Sequence, residues 1–363
     1  MLKSFDDVFE DVTKFGTKIK TDEYQPSGKY QIIDQGQAVI AGYTDLEDGV
    51  FENVPAIIFG DHTRIVKYVD KPFFLGADGV KVLRCRFEDA DYRYLYYALK
   101  SVKIPNTGYN RHFKWLKEAK INYPSTEIQS EIVLILDIIS SIIEYRQRQL
   151  QKLDELVKAR FVEMFGDPVT NPYGFEKVAL SALADIRIGP FGSLLHKEDY
   201  IEGGHALINP SHIIGDKIVS DSKLTVSDEK YAELGAYHLQ ISDVVLGRRG
   251  EMGRCAVVSG SDLLCGTGSL LIRPKGEVTA DYIQKIISFP SFRKSIEDMA
   301  VGQTMPNLNI PIVSNFQIIK PPVEIQEAYY KFARQTDKAK TAIQKALDEA
   351  QLLFDSLMQQ YFT

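Results

Sequence analysis

Apolar positions recur with a helical period over two long stretches of the chain. After Glu127, Ile128, Ile132, Ile135, Ile139 and Ile142 alternate steps of four and three, the rhythm of a helix packed on another helix. The rhythm slips near Arg146 and resumes at Leu150, Leu153, Val157, Phe161 and Met164. Gly166, Pro168 and Pro172 then form a stop signal. A second stretch runs through Ile325, Ala328, Phe332, Ala339, Ile343, Ala346, Ala350, Leu353 and Leu357. Each stretch predicts about 38 residues of helix, roughly 57 Å long. Nearly the same phrase opens both: PSTEIQSE at 124–131 and PPVEIQEA at 321–328, 197 residues apart. In each, proline ends the preceding segment and a glutamate enters the first turn, where the helix dipole favours negative charge. Two matched helices of this length predict an antiparallel coiled coil. The expected packing positions are Ile128, Ile135, Ile139, Ile142 and Leu153 on the first helix, and Ile325, Phe332, Ile343, Ala346 and Leu353 on the second.

Ahead of each helix lie short runs of Ile, Val, Leu and Phe, punctuated by Gly, Pro, Asn and Asp, which read as strands and turns. Several runs correspond between the halves: PAIIFG (55–60) with DVVLGR (243–248), FFLGADG (73–79) with LLCGTGS (263–269), and YQIIDQGQ (30–37) with ALINPSHI (206–213). KINYP (120–124) matches QIIKP (317–321), and the same spacing pairs Asn110 with Asn307. The chain therefore reads as a duplicated α+β unit with an internal pseudo-two-fold repeat. The boundaries expected are a globular domain over 1–126, a helix over 127–166, a second globular domain over 167–323 and a second helix over 324–363.

At 363 residues, 44% hydrophobic, the chain can bury two cores. No apolar run approaches the ~20 residues of a membrane span, and the acidic start MLKSFDDVFEDV is unlike a signal peptide. Three cysteines without a CxxC pair suit a reducing compartment, so a soluble cytoplasmic protein is expected. The net charge of −6 lacks the bulk basicity of a free-standing nucleic-acid binder. There is no GxxxxGK[ST] phosphate loop and no HExxH, and the six histidines share no metal-ligand spacing with cysteine. NPYG (171–174) lacks the second proline of an amino-methyltransferase motif, and RIGPFGS (187–193) lacks the context of a cofactor loop. No catalytic site, metal site or cofactor site is expected.

What remains is loop chemistry. GRRGEMGR (247–254) sets Arg248, Arg249 and Arg254 among three glycines. Guanidinium groups grip phosphates and the guanine edge, and glycines allow a close backbone approach; a solvated hairpin turn would look the same. KFGTKIK (14–20) supplies Lys18 and Lys20, and TGYNRHFK (107–114) supplies Tyr109, Asn110 and Arg111. PFGSLLHK (190–197), matched at its glycine to KFGTKIK, supplies Ser193, His196 and Lys197. Asn209 and Ser211, and Gln303 and Asn307 in GQTMPNLN (302–309), complete the candidate contacts to bases and phosphates.

The duplicated order of these motifs, with ARFVEMFGDPVTNPYGF between the halves, resembles the specificity subunit of type I restriction–modification systems over nearly the whole chain. The resemblance implies two target-recognition domains, each reading one half of a split double-stranded DNA sequence, joined by helices that set the gap. It implies a non-catalytic chain. Two methyltransferase subunits would carry S-adenosylmethionine, and motor–nuclease subunits would cleave. It also implies a DNA-proximal turn at Gly302 to Asn309. A specificity subunit whose partner fuses modification and cleavage, a protein-binding scaffold, and a methyltransferase or nuclease in its own right are the alternatives.

Overall fold

The computed structural model describes residues 1–76, 78–300 and 307–362. The chain divides into two compact units: Met1–Leu150 with Ala342–Thr363, and Gln151–Thr341.

In unit 1 a four-stranded antiparallel sheet runs in the order Phe9–Asp11, Val80–Cys85, Ala56–Gly60, Val66–Val69. A second sheet orders Gly42–Thr44, Tyr30–Ile33 and Phe73–Leu75, with the last two strands parallel. Leu2–Ser4 pairs with Lys120–Asn122. Ile57, Ile58, Phe59, Val82 and Leu83 are fully buried, as the apolar runs demand of strands covered on both faces.

Unit 2 repeats this plan. Its four-stranded sheet is ordered Ala184–Ile188, Ser269–Pro274, Val244–Gly247, Cys255–Val257. A five-stranded sheet contains the parallel pair His205–Ile208 and Leu263–Cys265, and Glu176–Ala179 pairs with Gln317–Lys320. The helix Pro290–Ala300 and the hairpin Ile213–Ile214/Lys217–Ile218 have no counterpart among the described residues of unit 1. The expected α+β duplication is therefore present unit by unit.

The long helices span Thr126–Phe165 and Val323–Phe362. Gly166, at φ +72°, ends the first, and its N–H returns to the Val162 carbonyl. In unit 1 the start of the first helix packs with the end of the second: Ile132, Leu136 and Ile139 share a core with Phe354 and Met358. In unit 2 the end of the first meets the start of the second, where Phe161 and Phe165 pack edge-on to Tyr329. There Lys340 pairs with Asp154 at 2.6 Å, and the Tyr329 hydroxyl reaches the Val157 carbonyl at 3.4 Å. That pairing is antiparallel.

The inward stripe corrects part of the expected seam. Ile139 is buried, and Leu153, Ile325, Phe332, Ile343 and Ala346 are half-buried. Ile128, Ile135, Ile142 and Leu353 are 48%, 39%, 43% and 51% exposed and lie outside the buried stripe. The buried stripe on the first helix is Gln129, Ile132, Leu136 and Ile139. Its first member is polar, so apolar spacing alone selects Ile128, one residue and about 100° around the helix from the true position. Phe354 displaces Leu353 by the same one-residue step.

Candidate nucleic-acid interface

Each unit places a hairpin turn beside two other loops, and the same backbone hydrogen bonds hold all three. In unit 2 the Gly247 N–H donates to the Arg254 carbonyl at 2.9 Å and closes the turn. The next residue, Arg248, donates its N–H to Gly268 at 3.0 Å and accepts from the Leu308 N–H at 2.9 Å. In unit 1 Gly60 donates to Ile65 at 2.8 Å, Asp61 donates to Gly79 at 2.7 Å, and His112 donates to Asp61 at 2.8 Å. Gly60 and Asp61 thus occupy the places of Gly247 and Arg248, and His112 that of Leu308.

This frame shifts the sequence matches by one residue. PAIIFG pairs Gly60 with Gly247 rather than with Arg248. Asn307 corresponds to Arg111 rather than to Asn110. Ile33, whose carbonyl accepts from Gly76, corresponds to Ile208, whose carbonyl accepts from Gly266.

The candidate side chains separate into braces and free groups. Arg248 Nε donates to the Leu308 carbonyl at 3.0 Å, and Nη1 lies 3.5 Å from that of Thr267. Burial, then the neighbouring charge of Arg249, holds its pKa below the usual guanidinium range. Arg254 is committed to Glu251 at 2.7 Å and to the Pro210 carbonyl, and Glu251 also takes Arg293 at 2.6 Å. Asn209 Oδ1 accepts from the Gly268 N–H at 3.1 Å. Gly268 permits that approach, since a Cβ there would meet Pro210 at 3.0 Å. Arg249 is exposed and makes no hydrogen bond or ion pair among the described residues. With Ile188, Phe191, Arg248, Thr267 and Gly268 it lines a cavity of about 390 Å³. Ser193, His196 and Lys197 stand exposed on the loop after Phe191, and Ser211 is exposed beyond Asn209. Asn307 Oδ1 is enclosed without a partner among the described residues, whereas Gln303 lies outside them.

In unit 1 the corresponding turn carries His62, whose ring stacks on Tyr109 at 4.5 Å and an angle of 6°. The His62 ring Nδ1 lies 3.2 Å from the Asn110 carbonyl, and its backbone N–H donates to Gln35 Oε1 at 3.1 Å. Gln35 Nε2 donates to the Asp78 carbonyl, and the Asp78 side chain pairs with Lys18 at 2.6 Å. The Lys18 bond, then its charge, keeps the Asp78 carboxyl below its ordinary range. Tyr109, Asn110, Arg111 and Lys20 are exposed. The structure thus sets Tyr109 and Asn110 against His62, a residue that sequence spacing does not select, and links Lys18 to it through Asp78 and Gln35. Aligning the turn at Gly60 and Gly247 would have found it, because His62 then falls opposite Arg249.

Among the described residues no cluster of His, Cys, Asp and Glu could hold a metal ion, and no helix is long and apolar enough to cross a membrane. Comparison with known proteins supplies the class. The type I restriction modification DNA specificity domain matches twice, at residues 2–155 and 172–351. The chain belongs to this family. It is a DNA specificity subunit of the restriction–modification type, and the family is the non-catalytic component of type I systems. The fold is similar to that of the S subunit of a type I system from M. genitalium, with TM-score 0.64 at 17% identity over 100% of this chain and 96% of that one. It is also similar to a chain from a structure concerned with complex assembly and conformational transition of the type I system, with TM-score 0.58 at 16% identity over 100% and 97%.

Proposed function

We propose that each unit reads one half of a bipartite double-stranded DNA site. The observation that carries this reading is the shared backbone frame, which presents Asp61 and His62 in one unit and Arg248 and Arg249 at the same two places in the other. One scaffold with unlike side chains suits two different half-sites. Residues 1–126 and 167–323 act as the recognition domains, and the helices over 127–166 and 324–363 set the gap between half-sites. The exposed groups act at the DNA: Lys20, Tyr109, Asn110, Arg111, Ser193, His196, Lys197, Ser211 and Arg249, with Tyr109 stacked on His62, the Asn110 amide held to the Thr107 carbonyl, and Lys18 able to leave Asp78. Arg248, Arg254 and Asn209 shape the loops that carry them.

Adenine methyltransferase subunits holding S-adenosylmethionine dock on the helices, and motor–nuclease subunits complete the assembly. Support for docking comes from the first helix in unit 1, where Leu134, Ile138, Ile142 and Tyr145 form an exposed apolar stripe. The deciding experiment co-expresses the chain with the methyltransferase of its own system in a methylation-free host and maps every modified adenine. A split motif with a fixed internal gap is expected. A stable complex that marks no such motif would remove the DNA-reading role.

A further inference from the structure

Within the shared backbone frame the two units carry unlike side chains at the residue that follows the pinned position of the hairpin. Asp61 and Arg248 are held on both sides by the backbone frame and turn their side chains to it: Asp61 Oδ1 accepts from the Phe113 N–H at 2.8 Å, and Arg248 Nε donates to Leu308. The following residues, His62 and Arg249, are the first whose side chains the frame leaves available.

We infer that His62 and Arg249 are the paired base-reading residues, one in each half-site, and that they read opposite hydrogen-bonding character. This rests on the DNA-reading role proposed above. A carbonyl can only accept, so the contact with Asn110 puts the proton of the neutral His62 ring on Nδ1. Nε2 is then an acceptor, and it has no partner among the described residues. The Tyr109 stack fixes the plane of the ring and so the direction of that lone pair. In the major groove an acceptor selects an exocyclic amino group, the N6 of adenine or the N4 of cytosine. Arg249 has donors only, and their forked geometry matches O6 and N7 of guanine. Its surroundings fit a base edge: Phe191, 62% exposed, and Ile188 give the adjoining cavity an apolar wall. The first half-site therefore contains an adenine or cytosine set by His62, and the second a guanine set by Arg249.

The test compares methylation maps and duplex binding of the assembled methyltransferase complex carrying wild-type chain, Arg249→Ala, Arg249→Lys or His62→Ala. Arg249→Ala should relax one guanine in one half-site by about ten- to a hundredfold in preference, leaving the other half intact. Arg249→Lys should keep overall affinity within a few-fold, yet relax the same position, because the lysine lacks the fork. His62→Ala should relax one adenine or cytosine in the other half. With wild-type complex, 7-deazaguanine at the specified guanine should weaken binding, and the Arg249→Ala complex should be indifferent to it. Where the His62 base is adenine, purine lacking the N6 amino group should act likewise toward His62→Ala; a cytosine is probed with 2-pyrimidinone. A wild-type complex that marks a split motif, with variants that leave the motif unchanged or alter both halves together, would overturn this assignment alone. A wild-type complex that marks no split motif would overturn the DNA-reading role as well.

Discussion

Gln129 and Gln326, 197 residues apart, make the same two hydrogen bonds. Gln129 accepts from the Asp91 N–H at 3.2 Å and donates to the Pro124 carbonyl at 3.0 Å. Gln326 accepts from the Thr279 N–H at 3.1 Å and donates to the Pro321 carbonyl at 2.9 Å. Asp91 and Thr279 are the N-caps of the helices Tyr92–Lys100 and Ala280–Ser288. Both glutamines are fully buried. Each therefore ties its long helix to the capped helix of the same unit and to the proline that begins the repeated phrase.

Replacing Gln326 by alanine strands the buried Pro321 carbonyl and the half-buried Thr279 N–H. Leaving one such group unpaired costs about 1–3 kcal/mol. Gln326→Ala and Gln129→Ala should each lower the thermal transition by several degrees, and hydrogen exchange at Thr279 or Asp91 should accelerate in the matching variant. A variant with unchanged protection at the cap would show that the bond does not hold it.

The one-residue shift of the helix seam gives a second expectation. Leu136 is fully buried against the core of unit 1, whereas Ile135 is 39% exposed. Leu136→Ala should cost about 2–5 kcal/mol. Ile135→Ala, one residue away, should stay within about 1 kcal/mol. Urea unfolding of the two variants side by side measures the contrast, and equal losses would restore the heptad seam drawn from the isoleucines alone.

Glu251 clamps the hairpin of unit 2 to the helix Pro290–Ala300 through Arg254 and Arg293. Those hydrogen bonds, then the charge of Arg293, hold its carboxyl below the ordinary value of 4.5. A depressed carboxylate adds stability that is fully present above its unfolded pKa and lost as pH falls through the folded one. Glu251 is 47% exposed, so the contribution is small, under ~1 kcal/mol. The difference in melting temperature between wild type and Glu251→Gln should be present at pH 7 and close as pH falls below 4.5. A difference that widens in acid would contradict the clamp.

The duplication was legible because both halves keep features with strict local causes: a proline that ends a strand and a glutamate in a first helical turn. The seam was misread because Gln129 is buried by satisfying its hydrogen bonds rather than by being apolar, and hydropathy has no signal for that. Asn110 falls opposite Asn307 in the sequence because the segment from Leu308 to Gln317 is one residue longer than the segment from His112 to Lys120, and a length change hides register. Arg254 looked like a free cation, although Glu251, three residues earlier, was visible in the sequence as its partner.

If the helix pair sets the gap between half-sites, length added to both helices must add to the gap and to nothing else. One heptad adds about 10.5 Å of helix at 1.5 Å per residue. At 3.4 Å per base pair that corresponds to roughly three further base pairs. Insertion of seven residues into each helix, in the polar stretch near Arg146–Arg148 and at the matching level near Lys345–Glu349, keeps the inward stripe and the caps on either side in register. Mapped methylation should then show both half-sites unchanged and the unspecified gap longer by about three positions. The wild-type ceiling follows from the same arithmetic: helices of 40 residues, about 60 Å long, allow at most roughly 18 base pairs between half-site centres. Insertion in one helix alone should abolish modification, because the seam of the other cannot follow. A changed half-site with an unchanged gap would mean that the helices shape recognition rather than spacing.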